Sequence, residues 1–178
     1  MDTLPDHLRE GLSLVFVGLN PGLESVRVGH YFASPRNRIW TAANQAGIFD
    51  PPLDATSDAR ALEQGIGFTD VVKRPTAGSS DLRAADYKRW APELKRRLLR
   101  CSPRIVRFHG KIAYVNYLKR AEGVDENPDL GLQDRLIGQS RVFLIPNPSP
   151  ANAAYSMAEL IGWYTELAKF RDEMEPAH

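Results

Sequence analysis

Two asparagines, each just past an apolar run, carry the chemical interest of this sequence. The first lies in Gly18-Leu19-Asn20-Pro21-Gly22, and the second opens Asn147-Pro148-Ser149-Pro150-Ala151-Asn152. A turn bounded by glycines lets the main chain approach a ligand closely and leaves backbone N–H groups unpaired, able to cradle negative charge. An amide side chain is too weak a base to take a proton. Asp81, in the loop that follows the second apolar run, is a stronger group: a carboxylate there can orient or deprotonate a water. Asp70 and Glu24 compete for that part more weakly. Each residue also has a plainer role. Asn20 can shape the turn beside Pro21, Ser80 or Asp81 can cap the helix that begins in "SSDLRAAD", and Phe32 can be core. His30 and His109 have no companions at metal-ligand spacing and read as structural or solvated. Neither G-x-G-x-x-G nor G-x-x-x-x-G-K-[ST] is present, which argues against dinucleotide and phosphate-loop chemistry.

The elements that must position these loops alternate along the chain. "SLVFVGLN" from Ser13 is a short β-rich run stopped by Pro21 and Gly22, as a buried parallel strand would be. Asn37 to Gly47 has helical spacing through Ile39, Trp40, Ala43 and Ala46. "GIGFTDVV" is a second strand, Asp81 to Arg100 a basic helix with a bend or restart at Pro92, "RIVRFHG" a third strand and "KIAYVNYLKRAEG" a helix. "SRVFLIPNP" is a fourth strand, and Met157 to Met174 a closing helix with Leu160, Ile161, Tyr164, Leu167 and Phe170 on one face. Residues 123 to 136 carry no clear pattern. The alternation predicts an α/β, three-layer fold in which a central, mostly parallel sheet of four to five strands is flanked by helices. In such sheets ligands bind beyond the carboxyl ends of the strands, where both asparagine loops fall.

A chain of 178 residues, 43% hydrophobic and 25% charged, reads as a single domain spanning 1–178. The formal net charge of +1 gives no bulk argument for nucleic acid. Distribution says more, because nine basic residues lie between Lys88 and Lys111 against the single acid Glu93, and Arg27, Arg36 and Arg38 accompany the first loop. Placed at a pocket rim, such charges would meet phosphates; the acidic stretch Glu122 to Asp134 and the tail Asp172 to Glu175 should then face away. One cysteine, Cys101, cannot form an internal disulfide or ligate a cluster. The N-terminus lacks the basic start and apolar core of a secretion signal, and no run reaches membrane-spanning length, so a cytoplasmic protein is expected.

Gly18-Leu19-Asn20-Pro21-Gly22, Phe32-Ala33 with Pro35, Asn37-Arg38 with Trp40, Arg74-Pro75-Thr76 and Asn147-Pro148-Ser149, in that order, resemble the mismatch-specific uracil-DNA and thymine-DNA glycosylases of the uracil-DNA glycosylase superfamily. The resemblance runs from about Leu14 into the last helix. It implies base excision repair: a monomer, with no metal and no cofactor, flips uracil or a related mismatched or damaged base from double-stranded DNA and hydrolyses the N-glycosidic bond, leaving an abasic site. Asn20 would hold the attacking water. Phe32 would stack on the flipped base, with Gly18, Leu19, Gly22 and Ser25 around it. Asn147, Ser149, Pro150, Ala151 and Asn152 would form the loop that enters the DNA. The family motif does not supply Asp81. It also places glycine and leucine after Asn-Pro-Ser where a bulky wedge is used, whereas this chain has Pro150, Ala151 and Asn152, so a small methyl must fill the hole left by the base. A non-catalytic nucleic-acid or nucleobase-binding module of the same fold is the alternative, and a small-molecule N-glycoside hydrolase a third reading.

Overall fold

The computed structural model describes residues 2–149 and 152–174. Apolar five-residue runs form β1 (Leu14–Gly18), β2 (Ile66–Asp70) and β3 (Ile105–His109); a two-residue strand, β4 (Gly131–Leu132), precedes β5 (Arg141–Ile145). They make one sheet in the order β2-β1-β3-β5-β4, parallel except for β4, which runs antiparallel to β5 at the edge. Every residue of β1, β2 and β3 is buried, as parallel strands covered on both faces must be. The expected architecture is present. Its fifth strand comes from the stretch that showed no pattern, because two residues are too few to display an alternation.

Helices cover both faces: α1 (Leu23–Val28), α2 (Ile39–Gln45), α3 (Ala84–Cys101), α4 (Lys111–Tyr117) and α5 (Met157–Met174). On one side Phe16, Phe68, Ile105 and Phe143 meet Ile39, Trp40 and Ala43 of α2 and Leu160, Tyr164 and Leu167 of α5. On the other, Val15, Val17, Val106 and Phe108 meet Tyr87, Ala91, Leu94 and Leu98 of α3 and Tyr114 of α4. Leu94 and Leu160 are fully buried, and truncating either to alanine should cost about 2–5 kcal/mol. Pro92 sits inside α3 without ending it. The carbonyl it deprives of a donor belongs to exposed Lys88, where water can replace the bond. Among the described residues no helix is long and apolar enough to cross a membrane.

The four parallel strands end at one edge of the sheet. The loops leaving it bring the two asparagine motifs together.

Candidate active site

Strand register places three residues in a row at that edge. Gly18 pairs with Asp70 across β1 and β2, and His109 lies one step beyond the Val17↔Phe108 pair across β1 and β3. In-register residues of parallel strands point to the same face, so Asp70 and His109 flank the position where Gly18 has no side chain. The missing atom matters: a Cβ on Gly18 would stand 2.5 Å from Asp70 Oδ1 and 3.6 Å from Phe32 Cζ. Above this row opens a cavity of about 350 Å³, lined by Leu19, Asn20, Phe32, Asp70, His109 and Asn147 among others, a size ordinary for small-ligand sites. Gly22 and Ser25 also line it, so most of the residues expected around a base are gathered there.

Asn20 is locked. Its Nδ2 donates to the Arg74 carbonyl and to Thr76 Oγ1, both at 2.9 Å, with the Pro21 carbonyl at 3.3 Å. Two carbonyl oxygens would repel Oδ1 from that position, so the surroundings fix which way the amide faces. No donor among the described residues reaches Oδ1, which is left as an acceptor for a water hydrogen. The Arg74-Pro75-Thr76 segment thus anchors Asn20, while main-chain bonds from Thr76 to Pro21 and from Leu23 to Thr76 tie the two loops.

Phe32 holds a left-handed backbone, φ 51°, uncommon for a bulky residue and a form of strain that clusters at functional sites. Its carbonyl accepts from Trp40 Nε1 at 3.1 Å, and Ser25 Oγ accepts from the next N–H, Ala33, at 3.1 Å. Ser25 therefore braces the turn that carries Phe32. The Phe32 ring stacks on His109, with centroids 4.9 Å apart and planes 10° from parallel.

Asp70 and His109 are the residues that sequence reasoning undervalued. Asp70 is 2% exposed, and its Oδ2 has no hydrogen-bond partner among the described residues. Lys73 Nζ stands 3.7 Å away and is itself bonded to Asp6 Oδ1 at 2.9 Å. Burial pushes the Asp70 carboxyl up to about 6, against the downward pull of Lys73. His109 Nδ1 lies 2.9 Å from Arg107 Nη1, and its other side-chain bond is to Asn147. A guanidinium only donates, so Nδ1 must accept and the ring proton sits on Nε2. Burial first, and the Arg107 charge second, hold His109 well below the usual imidazole range, hence neutral. The available signal was a titratable group at the last position of an apolar strand, which is where open α/β sheets bind ligands.

Asp81 lies elsewhere. It is exposed and does not line the cavity; its Oδ2 accepts from the Gly78 N–H at 3.2 Å and closes the short turn Ser79–Asp81. The helix behind it starts at Ala84, where Asp86 accepts from the Arg83 N–H. Asp81 thus caps the preceding turn and not α3.

The second asparagine loop is held from within and from across the fold. Asn147 Oδ1 accepts from the Ser149 N–H and the Asn147 carbonyl accepts from Asn152 Nδ2, both at 2.8 Å. The Arg38 guanidinium donates to the carbonyls of Pro148, Ser149, Asn152 and Tyr155. Pro150 and Ala151 lie outside the described residues. Gly110, at φ 95°, gives Asn147 room, since a Cβ there would stand 3.0 Å from that of Asn147. A second cavity of about 370 Å³ adjoins the first across Leu19, Ser79, His109, Asn147 and Ser149.

The basic run does not form a rim to this trough. Arg97 pairs with Asp6, Lys95 with Glu122 and Arg96 with Glu93, and Arg107 is core; of that run only Lys111 lines either cavity. Near the first loop, Arg27 pairs with Glu24 and Arg38 is spent on the second loop, which leaves Arg36 exposed. Arg97 and Lys95 are thus turned to carboxylates of other segments, while Arg96 and Arg27 pair one turn away within their own helices.

Residues 5–172 match the family model described as the uracil DNA glycosylase superfamily. Among solved structures, the solution NMR structure of a candidate uracil DNA glycosylase from Methanosarcina acetivorans is similar over 96% of each chain, with a TM-score of 0.61 and 22% identity. At that identity the likeness establishes the fold.

Proposed function

The chain belongs to the uracil DNA glycosylase superfamily, and we propose from this that it is a monofunctional DNA glycosylase of the mismatch-specific type, hydrolysing the N-glycosidic bond of uracil turned out of a duplex. One observation carries the reading: the Asn20 amide is clamped through Nδ2 and leaves Oδ1 without a donor among the described residues, at a cavity lined by Asp70 and His109. An acceptor fixed in that way can hold a water by one hydrogen and aim its lone pair at the sugar C1′. It cannot strip the proton, so the bond must break largely before the water adds. The electron pair then goes to the base, and the site's main work is to stabilise that charge.

The flanking groups suit a lactam edge. In its acid form Asp70 offers one O–H and one carbonyl, matching the adjacent C=O and N–H of uracil; ionised, it offers acceptors only. His109 has one N–H, on Nε2, which a base oxygen can take over from Asn147. Phe32 gives an apolar ring at the cavity wall for the base plane. Among the described residues no lysine lines the cavity around Asn20, in keeping with water and not an amine as the nucleophile. The assay is direct: duplexes containing G·U or A·U are incubated with the protein and then treated with alkali, which breaks strands at abasic sites. Breaks at the uracil position are the expected result. Retention of DNA without breaks would make the chain a binding module of the same fold.

A further inference from the structure

Arg107 is a fully buried cation in the core that underlies the site. It projects from β3 to the face occupied by Phe16 and Phe143, its in-register neighbours, and its guanidinium lies 4.4 Å from the Phe16 ring centroid and 5.1 Å from that of Tyr164. It pairs with no carboxylate among the described residues; its hydrogen bonds go to Tyr164 Oη and His109 Nδ1, and its Nε has no partner among them. A hydrocarbon side chain would suit such a position far better, because a desolvated charge without a counter-ion is costly. What distinguishes the site is its one polar outlet, His109, which lines both cavities.

We propose that Arg107 is a positioning residue for base release, holding His109 with its proton on Nε2 so that this N–H, bonded to Asn147 in the free protein, is handed to an exocyclic oxygen of the departing base, and lending its buried charge to offset the negative charge that the base acquires. The inference rests on the glycosylase reading. In the step it serves, the C1′–N1 bond breaks and its electron pair passes to the base, where it spreads onto the ring oxygens. Water then forms the C1′–O bond and gives up a proton, and the base anion takes one at N1, so sugar and free base leave neutral. His109 keeps its proton throughout. It donates a hydrogen bond that shortens as charge builds, and the bond is the stronger because Arg107 polarises the ring from behind through Nδ1 in a site of low dielectric. Burial and the adjacent cation both disfavour imidazolium, which keeps the ring in this role.

The test compares wild type with Arg107→Met and Arg107→Lys, using single-turnover release of uracil and of 5-fluorouracil, whose N1 anion is more stable and needs less help. Arg107→Met should slow uracil release by on the order of 10²-fold, the scale for losing one preorganised electrostatic group, and slow 5-fluorouracil release much less. Arg107→Lys keeps a charge and should recover part of the difference between the two bases. Equal losses for both bases in Arg107→Met, or no loss, would overturn the proposal. A second measurement needs no activity and covers poor folding of the methionine variant: ¹⁵N chemical shifts of His109 at pH 7 in the wild-type protein. They should report a neutral ring protonated on Nε2, and a proton on Nδ1 would overturn the assignment. A wild-type protein that released neither base would remove the glycosylase reading, while the shifts would still decide whether His109 carries its proton on Nε2, as a ring accepting from Arg107 must.

Discussion

The carboxylate of Asp70 occupies the space that a side chain on Gly18 would need: its Oδ1 is 2.5 Å from the ideal Cβ position. The two residues are paired across β1 and β2, so the contact is set by strand register and not by a flexible loop. Gly18→Ala must therefore push the Asp70 side chain or spread the strands. Such overpacking costs about 1–3 kcal/mol. The expected outcome is a lowered melting temperature together with a loss of uracil excision beyond what the remaining folded fraction explains. Unchanged single-turnover rates in Gly18→Ala would separate Asp70 from the chemistry.

Asn20 and its anchor should act as a graded pair. Asn20→Ala removes the water acceptor and should slow excision by about 10²-fold or more, in the range for one positioned polar group. Thr76→Val leaves Oδ1 in place but deletes one of the bonds that hold the amide, the 2.9 Å contact to Thr76 Oγ1. Its loss should be smaller, about tenfold, and should not add to that of Asn20→Ala in the double variant. DNA affinity should change little in all three. Near-wild-type excision by Asn20→Ala would reject its place at the water.

The raised Asp70 carboxyl gives a pH dependence with a definite sign. If the acid form meets the uracil edge, excision should fall as pH rises through about 6, the value to which burial pushes this group. Asp70→Asn keeps a donor and an acceptor at every pH and should flatten that limb. A rate that instead climbs through the same region would mark Asp70 as the base acting on water. Stability has its own sign. The folded pKa lies above the unfolded one, about 3.9, so the protonated carboxyl favours folding within the window between them. That contribution is complete below the unfolded value and is lost as pH rises through the folded one. Asp70→Asn should melt higher than wild type at pH 8 and converge with it near pH 4, as differential scanning calorimetry at the two pH values would record.

Asp81 poses the opposite case, a carboxylate whose position is explained by a turn. Asparagine can accept from the Gly78 N–H as aspartate does, so Asp81→Asn should leave both melting temperature and excision rate close to wild type. A large rate loss at an unchanged melting temperature would return this carboxylate to catalysis.

These contrasts show what kind of information the chain displays locally. Asn20 was legible because glycine, proline and amide are contiguous and the apolar run before them marks a strand. The closing helix, Met157–Met174, was legible because one face repeats over its whole length. Asp70 and His109 were not, since each is a single residue at the end of a different strand and only the order β2-β1-β3 brings them to either side of Gly18. Arg107 falls within a basic run of the sequence, yet β3 turns it inward, and alternation along a strand buried on both faces leaves no polarity signal to tell its direction. Arg38 shared that fate, because its partners are backbone carbonyls 110 and more residues away in sequence.

Arg38 also carries the last prediction, which concerns how the second loop meets DNA. Its guanidinium gathers four carbonyls of the segment around Pro148–Tyr155, a use that a lysine cannot copy with its single nitrogen. Arg38→Met should loosen that segment without touching Asn20, Asp70 or His109. Opening a base pair costs a few kcal/mol, least at a mismatch or in a single strand, and a held loop helps by occupying the vacated space. The variant should therefore lose most on A·U, less on G·U and least on single-stranded uracil, so that its G·U over A·U preference widens under single-turnover conditions. Duplex affinity should weaken in parallel, while melting should fall only modestly because α2 keeps its buried contacts through Ile39 and Trp40. Equal losses on all three substrates would show that Arg38 supports the cavity itself and not the loop's entry into the duplex.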